Sequence, residues 1–588
     1  MEQKIKEKAD LVRNNKIYKC VTGILFPVIL LVFCFIKVNQ GMDITDSTYS
    51  LTNFSEKIDL DGMWLFSTFY ANVLGKLMFK LGLGKSLLLM NIATSCVKAA
   101  LAFASYYFFT YAVKSARELN FLGTVIAVGL CWCPTTILYN YLTYLFFGLG
   151  AIFLYLGLVK EKKRFLVIAG FFLGSNLFVR LPNVCEVALI VAVWFYSAIR
   201  KEKFRECLTK TLFCIGGYVA AFVPAFVLIC LYGGIGRYID GIKELLVMGS
   251  RTSGYSVIDQ VKQTAVAYVF GWDCTEIVIL MALMALLIFL VLPAKLTWLR
   301  YAASTVSTAA FGIVLYKKRG MFDFNYFSYG AVYKFGIVVL SIALIWMIAS
   351  FFFKSVTNEE KLLAVISVVI VLITPLGSNN GVYSNLNNMF FVLPSFLFLL
   401  VRFTGNNEHF RGIRYSFCLL LCGFLFQSVL FGTDFVFRDG TDGMTRDTEV
   451  YNADVVKGIK TNFVRAGHMQ GMFDFWKEED LAGTPLLLYG DVSGLGFYLE
   501  SPIAISTAWP SLPSFSEEKF SLEMKELKGR IEEKGAEIPI VILGTKEIDG
   551  VMVNPTDEKQ EILNKFLADF DYSLGYANEE FSIYITNR

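Results

Sequence analysis

Charged residues are scarce in this chain. Only 18% of its 588 residues are charged and 55% are hydrophobic, whereas soluble domains carry about 25% charged residues. The composition excludes an ordinary soluble protein and indicates a polytopic membrane protein. The formal net charge of +4 is too small and too dispersed to favour a nucleic-acid partner.

Histidine is rarer still, and cysteine is missing where a disulfide framework would need it. His409 falls in a loop between apolar runs and His468 in the C-terminal region, so neither supports a zinc site or a histidine base at the membrane. None of the twelve cysteines follows residue 431, which excludes disulfides there. Cys131 and Cys133, on an expected helix, would point in nearly opposite directions, so we expect no metal between them. Acid–base chemistry falls to carboxylates.

Long apolar runs are what the chain does have. We expect about thirteen to cross ~30 Å of hydrocarbon, with 301–316 the weakest because it is short and rich in Ser, Thr and Ala. The fold class is therefore a multi-pass α-helical membrane protein, with interfacial helices in its first loop and a small C-terminal α/β domain. The expected spans are 17–38, 86–113, 121–138, 142–159, 165–179, 184–199, 209–232, 275–293, 301–316, 331–353, 362–376, 388–403 and 415–431.

Basic residues in the short loops predict the orientation. With the N-terminus in the cytoplasm, the basic loops 114–117, 160–164, 200–205 and 402–414 also face the cytoplasm. The cluster 317–319 is an exception, because it falls outside. Omitting 301–316 would move the later basic loops outside, which violates the rule more. We therefore expect the C-terminal region, Asp43 and Asp46 to lie on the external face of the cell membrane.

Two outer segments, 66–81 and 235–246, have apolar residues at helical spacing and polar residues on the other side. This pattern predicts helices lying on the membrane. It leaves open whether they are simple connectors or gate a substrate.

The region 432–588 has the composition of a water-soluble α/β domain. Apolar runs predict strands at 485–490, 538–544 and 581–586, and amphipathic stretches predict helices at 516–534 and 557–571. Its motif "GDVSGLG" (490–496) lacks the Rossmann spacing and the phosphate-loop lysine. We expect an ordinary strand–turn connection that needs glycine flexibility.

Lys98 is placed near the middle of the span 86–113. A lysine at that depth costs about 2.5–3.5 kcal/mol on insertion scales and needs a partner or a water-filled cavity. The alternative is a helix that tilts or starts later and lets the amine reach the interface.

The first loop is acidic. Asp43, Asp46, Glu56, Asp59 and Asp61 oppose a single Lys57. Asp43 and Asp46 lie within eight residues of the first span, where a lowered dielectric would raise the pKa of a carboxyl toward that of a useful base.

These features together resemble a known family. An acidic residue in "DITDSTYSLTNF" (43–54), the span beginning "YNYLTYLFFGLGAIFLYLGL" (139–158) and the outer segment 486–515 are similar to the C-type glycosyltransferase superfamily. The chain is most similar to bacterial membrane proteins of the protein-O-mannosyltransferase-like and family 39-like groups. It departs from them in lacking their frequent Asp-Glu pair.

The resemblance implies a glycosyltransferase that moves a sugar from a polyprenyl-phosphate-linked donor to an acceptor hydroxyl of a glycan, lipid or protein at the outer face. It implies a first-loop general base. Of the two candidates we prefer Asp46, which leads into the hydroxyl-rich "STYS", because Asp43 is nearer the end of the span and could instead orient the loop or a cation, although the two roles could be exchanged. The resemblance specifies no cofactor and leaves room for a divalent cation. Membrane lipids are the other expected partners.

Cations are expected to meet the donor phosphate, since its charge grows as it leaves. The candidates are Lys98, Arg180, Lys317, Lys318 and Arg319, and Arg180 could instead anchor a helix end. Sugar or acceptor contacts are assigned to Asn140, Tyr141, Asn379, Asn380 and Tyr383. The last three belong to the amide-rich loop 377–388, which could also be a plain turn.

Two alternatives stay open at this point. A transporter or lipid-linked sugar flippase commonly shows repeated halves and interrupted helices, and we find no internal repeat. A non-catalytic scaffold that presents the C-terminal domain would tolerate replacement of both Asp43 and Asp46.

Overall fold

The computed structural model describes residues 15–251, 256–377, 380–405, 408–439, 444–545, 547–548, 551–552 and 558–586. Helices dominate the chain up to residue 434. Those that match the expected spans are Lys16–Phe35, Leu87–Val113, Arg117–Leu130, Leu138–Val159, Lys163–Val179, Leu181–Ile199, Phe204–Tyr232, Trp272–Val291, Thr297–Lys317, Tyr329–Ser350, Asn358–Ile373, Val392–Gly405 and Arg411–Asp434.

The multi-pass helical fold class is confirmed. Each of the thirteen expected spans has a helical counterpart, and eight helices among the described residues are long and apolar enough to cross a membrane. The helix Thr297–Lys317, at the weakest expected span, is not among the eight. The number thirteen therefore stays a prediction.

Ion pairs join the helix ends at one side of the bundle. Arg200 contacts Glu161 at 2.6 Å, and Arg402 contacts Glu360 at 2.9 Å. These residues belong to or flank the basic loops, so we call this end the basic-loop face. The opposite end carries residues 36–86 and is called the first-loop face.

The expected helix 121–138 is wrong in its second half. The helix ends at Leu130, and the chain then turns until the next helix begins at Leu138. Pro134 explains the break, because proline lacks an N–H and disfavours helical backbone at the residue before it. Cys131 and Cys133 consequently lie in a turn, although the sequence had placed them on a helix.

The first loop is more helical than expected. The stripe 66–81 is two helices, Gly62–Ser67 and Phe69–Lys80, separated at Thr68, whose backbone is not helical. The second expected stripe lies in Gly234–Arg251, and its Tyr238 ring meets Phe66 edge-on at 5.1 Å. A further helix, Asp46–Phe54, was not predicted.

The C-terminal domain contains the expected α/β architecture. A strand that was not predicted, Tyr572–Ala577, lies at one edge of its four-stranded sheet. The strands Leu486–Tyr489 and Ile540–Gly544 pair in parallel, and the other pairs are antiparallel. In spatial order the strands are Leu486–Tyr489, Ile540–Gly544, Phe581–Thr586 and Tyr572–Ala577. The domain's longer helices are Phe463–Glu478, Glu517–Lys534 and Glu558–Asp569, and a short helix spans Leu495–Tyr498.

The helix Glu517–Lys534 shows why these elements pack. Its buried residues Phe520, Met524, Leu527 and Ile531 recur at intervals of three and four, which places them on one face. They share a core with the sheet residues Leu487 and Val541.

The glycine-rich motif 490–496 seats this domain on the first loop. The Gly494 N–H donates to the Ile44 carbonyl at 2.7 Å. A Cβ at Gly494 would lie 1.8 Å from Thr48 Oγ1 and 2.8 Å from backbone atoms of Ile44. Of the motif's three glycines only Gly490 has a positive φ, +90°. The flexibility expected for the whole motif thus applies to Gly490, whereas Gly494 permits close packing.

Replacing Gly494 should therefore loosen the junction. We expect Gly494→Ala to lower the melting temperature of the purified protein, because overpacking against backbone typically costs about 1–3 kcal/mol. Gly529→Ala is the matched control, since a Cβ there meets nothing within 4 Å and alanine favours a helix. Equal melting temperatures for the two variants would contradict the close packing at Gly494.

Candidate functional site

A pocket lies at the first-loop face. Five parts of the chain form its walls: the end of the first helix and the start of the first loop, the helix Leu87–Val113, the turn after Leu130, the segment after Asp434, and the C-terminal domain. The lining residues are Lys37, Gln40, Gly41, Asp43, Ser47, Thr48, Leu87, Asn91, Lys98, Cys131, Trp132, Cys133, Pro134, Thr135, Thr136, Phe435, Val436, Phe437 and Tyr498.

The helix Leu87–Val113 forms the deep wall. Leu87, Asn91 and Lys98 all line the pocket, and their spacings of four and seven place them on one helix face. At 1.5 Å per residue, Lys98 lies about 16 Å further along the helix than Leu87. The pocket therefore extends into the part of the bundle that the sequence assigns to the membrane.

Lys98 is buried, with only 7% of its surface exposed. Among the residues that the structure describes, none forms a hydrogen bond or an ion pair with its amine. The sequence required a partner or a cavity for this lysine, and the structure provides a cavity.

Lys37 is a second amine in the same pocket. Its Nζ donates to the Phe435 carbonyl and lies 5.6 Å from the centre of the Phe435 ring. Two lysine amines thus share one pocket.

Asp43 is fully engaged by its own loop. Its carboxylate accepts hydrogen bonds from Thr45 N and Ser47 N, both at 2.9 Å, and from Thr45 Oγ1 at 2.5 Å. It is 6% exposed. These contacts cap the start of the helix Asp46–Phe54 and occupy both oxygens of the Asp43 carboxylate.

The Asp46 carboxylate has different surroundings, although it is only three residues from Asp43. It is 38% exposed and lies 3.7 Å from Arg438 Nε. No other described residue donates a hydrogen bond to it. Burial, together with the neighbouring Asp43 carboxylate, raises the pKa of Asp46 from 3.8 to about 6. Asp46 itself does not line the pocket, but it belongs to the same helical turn as Ser47 and Thr48, which do.

Aromatic rings form one side of the pocket. Trp132 lines it and stacks on Tyr329 at 4.5 Å. The Trp132 Nε1–H donates to the Tyr383 carbonyl at 2.8 Å, and Tyr383 stacks on Tyr333 at 4.2 Å. Tyr383, expected to bind sugar or acceptor, therefore lies behind Trp132.

Asn140 and Tyr141 also lie in a second layer. Asn140 Nδ2 donates to Cys133 Sγ at 3.0 Å, and the Tyr141 hydroxyl donates to the Cys133 carbonyl at 2.6 Å. They hold the turn that forms the pocket wall. Of the amide-rich loop, Asn380 is exposed and does not line the pocket, and Asn379 lies outside the described residues.

The structure does not bring the other expected cations to the pocket. Arg180 donates to the Gly377 carbonyl at 2.9 Å and stacks over Tyr139 at 5.8 Å, so its contacts lie outside the pocket. Arg319 lies 3.9 Å from Asp273 and 3.6 Å from Glu276. Its neighbours Lys317 and Lys318 are exposed.

A metal centre is not assembled in the part of the chain that the structure describes. No group of three or more His, Cys, Asp or Glu side chains has a metal-binding arrangement there. Asp43 is occupied by its three donors, and Asp46 contacts a guanidinium.

Sequence analysis missed four charged residues. Lys37 falls at the end of an expected span. Arg438 and Asp491 are distant from Asp46 in the sequence, and only folding brings them close to it. Glu186 was also overlooked. It is buried away from the pocket, and its two carboxylate oxygens accept from Asn176 at 2.8 Å.

Comparison with known proteins identifies distant structural likenesses. No family model and no curated protein sequence matches the chain. ArnT from Cupriavidus metallidurans, solved with bound undecaprenyl phosphate, aligns over 95% of this chain and 97% of its own, with 11% identity and a TM-score of 0.42. The Archaeoglobus fulgidus oligosaccharyltransferase, solved with Zn and sulfate, aligns over 88% of this chain and 68% of its own, with 10% identity and a TM-score of 0.42.

At these TM-scores the likeness does not assign a function to individual residues of this chain.

Replacing the two aspartates should have opposite effects on stability. Asp43→Asn cannot accept all three hydrogen bonds and should lower the melting temperature, since loss of a helix cap costs about 0.5–2 kcal/mol. For Asp46, the raised pKa means that the folded protein holds the proton more tightly than the unfolded chain does. Ionisation of Asp46 thus costs stability increasingly between about pH 4 and 6 and fully above pH 6.

Asp46→Asn removes this cost. Its melting temperature should equal or exceed that of the wild type at pH 7.5, and any gain should shrink toward pH 5. Thermal unfolding of both purified variants at the two pH values tests this. A large destabilisation by Asp46→Asn at pH 7.5 would count against a raised pKa.

Proposed function

We propose that this protein is a membrane glycosyltransferase that moves a sugar from a polyprenyl-phosphate-linked donor to an acceptor hydroxyl. One observation carries the proposal: a pocket holds a buried lysine that has no partner among the described residues, and it is lined by the helical turn to which the Asp46 carboxylate belongs.

The amines suit a phosphate. A buried unpaired ammonium group is costly, and an anion in the pocket offsets that cost. Lys98 and Lys37 can both approach such an anion, because they line one cavity. The depth of Lys98 within the helical bundle suits an anion whose carrier is a membrane lipid. A soluble anion would have to reach the same depth from water.

The carboxylate suits a hydroxyl acceptor. Asp46 takes the proton of the acceptor hydroxyl while the acceptor oxygen forms a bond to the sugar C1. The bond between C1 and the phosphate oxygen breaks, and the polyprenyl phosphate leaves with the electron pair. Lys98 and Lys37 stabilise the negative charge that develops on it. A direct displacement of this kind inverts the configuration at C1.

Asp43 then has a positioning role. It caps the helix that carries Asp46 and so fixes where the base lies relative to the pocket. Asn140, Tyr141 and Tyr383 support the pocket wall from behind. Arg180 holds the Gly377 carbonyl. The cluster 317–319 has no part in this mechanism.

The proposal also includes an orientation. The first-loop face is taken to be extracytoplasmic, because the basic loops gather at the other face and this is the usual cytoplasmic signature. The acceptor is a glycan, lipid or protein at that outer face, and the donor carries a hexose or pentose.

The base can be tested by replacement. Asp46→Asn keeps the size of the side chain but removes its basic oxygen, so turnover should fall about 10²- to 10⁴-fold with folding intact. In the wild type, activity should be lost as pH falls through about 6, because protonated Asp46 cannot accept the proton. The donor and product are identified by mass spectrometry of surface glycans and lipid-linked sugars in a deletion strain.

Asp59→Asn is the matched control, since Asp59 is an exposed aspartate of the same loop that pairs with Arg237. It should restore the missing glycan in the deletion strain, whereas Asp46→Asn should leave the lipid-linked sugar accumulated. Wild-type turnover in purified Asp46→Asn would refute the base. A deletion strain with unchanged glycans and lipid-linked sugars would refute the transferase itself.

The amines can be tested by ligand binding. Undecaprenyl phosphate should raise the melting temperature of the wild type, and undecaprenol, which lacks the phosphate, should not. Lys98→Met should weaken binding of undecaprenyl phosphate about 10- to 100-fold, since a hydrogen bond to a charged group contributes about 1.5–3 kcal/mol. Lys37→Met should act in the same direction.

Without lipid, Lys98→Met should be at least as stable as the wild type, because it removes a buried unpaired charge. Arg180→Gln should change lipid affinity less than Lys98→Met, because the Arg180 guanidinium is directed at Gly377. Wild-type lipid affinity in Lys98→Met would show that the buried amine does not bind the phosphate.

A further inference from the structure

Arg438 lies where three separate parts of the chain meet. It follows the last long helix, Arg411–Asp434, by four residues. Its Nη1 donates to Thr45 Oγ1 at 3.0 Å, and its Nε lies 3.7 Å from Asp46 Oδ2. The same Nη1 lies 4.0 Å from Asp491 Oδ2, which belongs to the glycine-rich motif of the C-terminal domain.

Two contacts hold the Arg438 guanidinium in place. The hydrogen bond to Thr45 holds one end, and the guanidinium lies over the Phe437 ring at 5.7 Å. The backbone of Arg438 has a φ of +48°, a conformation that costs energy in a residue with a side chain. Its carbonyl accepts from Arg465 Nη2 at 3.4 Å, which helps to hold that conformation.

Asp46 therefore faces charges from three elements. Asp43 comes from its own loop, Arg438 from the segment after the last helix, and Asp491 from the C-terminal domain. Lys37 and Lys98 lie across the pocket that Asp43 lines. The Arg438 guanidinium lies 3.7 Å from the Asp46 carboxylate. Asp491 is a second carboxylate near the same guanidinium.

We propose that Arg438 is a positioning residue that directs the Asp46 carboxylate, and that Asp491 competes for the same guanidinium and so makes the proton affinity of Asp46 depend on the C-terminal domain. The role of Asp46 as a base rests on the proposed function. The arrangement of the three charges does not.

The competition follows from how the domain is attached. Asp491 lies three residues before Gly494, whose N–H bonds to Ile44 in the first loop. The contact between the C-terminal domain and the first loop thus sets the distance from Asp491 to Arg438. A guanidinium shared between two carboxylates stabilises the ionised form of each less than it would stabilise one alone.

Two substitutions should move Asp46 in opposite directions. Arg438→Gln removes the cation that favours ionised Asp46 and should shift its protonation midpoint upward by about one pH unit. Asp491→Asn removes the competitor and a like charge, and should shift the midpoint downward. A purely structural contribution of the two residues does not predict shifts of opposite sign.

The midpoint can be measured without enzyme activity. A carbodiimide reacts with the protonated carboxyl, and mass spectrometry of the full-length protein after digestion gives the labelling of Asp46 at each pH. The wild type should show a midpoint near pH 6. Arg438→Lys keeps the charge and should bring the midpoint back toward that of the wild type.

Arg237→Gln is the matched control. Arg237 also pairs with a first-loop aspartate, Asp59, at 3.0 Å, and its removal should leave the Asp46 midpoint unchanged. Equal midpoints in the wild type, Arg438→Gln and Asp491→Asn would overturn the proposal.

Activity distinguishes this proposal from the proposed function. Where sugar transfer is measured, its acid limb should move with the labelling midpoint in each variant. Labelling shifts of opposite sign without any sugar transfer would support the charge arrangement and refute the transferase. Sugar transfer with an acid limb that neither variant moves would refute the roles of Arg438 and Asp491 alone.

Discussion

The C-terminal domain and the segment after the helix Arg411–Asp434 form hydrogen bonds with the backbone of residues 42–44, and the pocket depends on these bonds. Buried backbone groups need partners, and here the partners come from residues about 400 positions or more along the chain. The four hydrogen bonds are Met42 N to Asp439 Oδ1 at 3.0 Å, Arg465 Nη1 to Met42 O at 3.2 Å, Tyr498 Oη to Asp43 O at 3.1 Å, and Gly494 N to Ile44 O at 2.7 Å. Together with the hydrogen bond from Arg438 to Thr45 Oγ1, they hold Asp43 and Asp46 beside the pocket.

The charges around the pocket are separated by depth. The lysines lie inside and at the end of the first helix, while the carboxylates lie at the start of a helix in the first loop. Asp43 is stabilised there by three hydrogen bonds and by the positive end of the helix dipole. Lys98 has no comparable partner among the described residues. In the proposed reaction the donor phosphate would occupy the depth of the pocket beside Lys98, and Asp46 would receive the acceptor proton from the adjoining helical turn.

Much of this fold could be predicted from the sequence, because hydropathy marks helices directly. Lys98 was visible as a charge inside an apolar run, and Asp43 and Asp46 were visible beside one. The sequence did not show which acidic residues the cations pair with. Arg319 pairs with Asp273 and Glu276, a contact that no local pattern encodes. The helix Asp46–Phe54 escaped notice because its buried face is largely polar, with Ser47, Thr48 and Thr52 packed against protein. Arg438 and Asp491 reach Asp46 only through the tertiary fold.

The shared core shows that the junction is a permanent part of the fold. Leu51 of the first loop, Leu142 and Phe178 of the helical bundle, and Leu486 and Phe581 of the C-terminal sheet belong to one contiguous cluster of buried residues. Opening such a junction would expose apolar surface from all three parts at about 25 cal/mol per Å². A lid that opens in each cycle usually has few buried contacts, so this domain does not fit that description. Its effect on Asp46 is therefore exerted through fixed distances, and a change of a single charge at Arg438 or Asp491 alters the local field without requiring the domain to move.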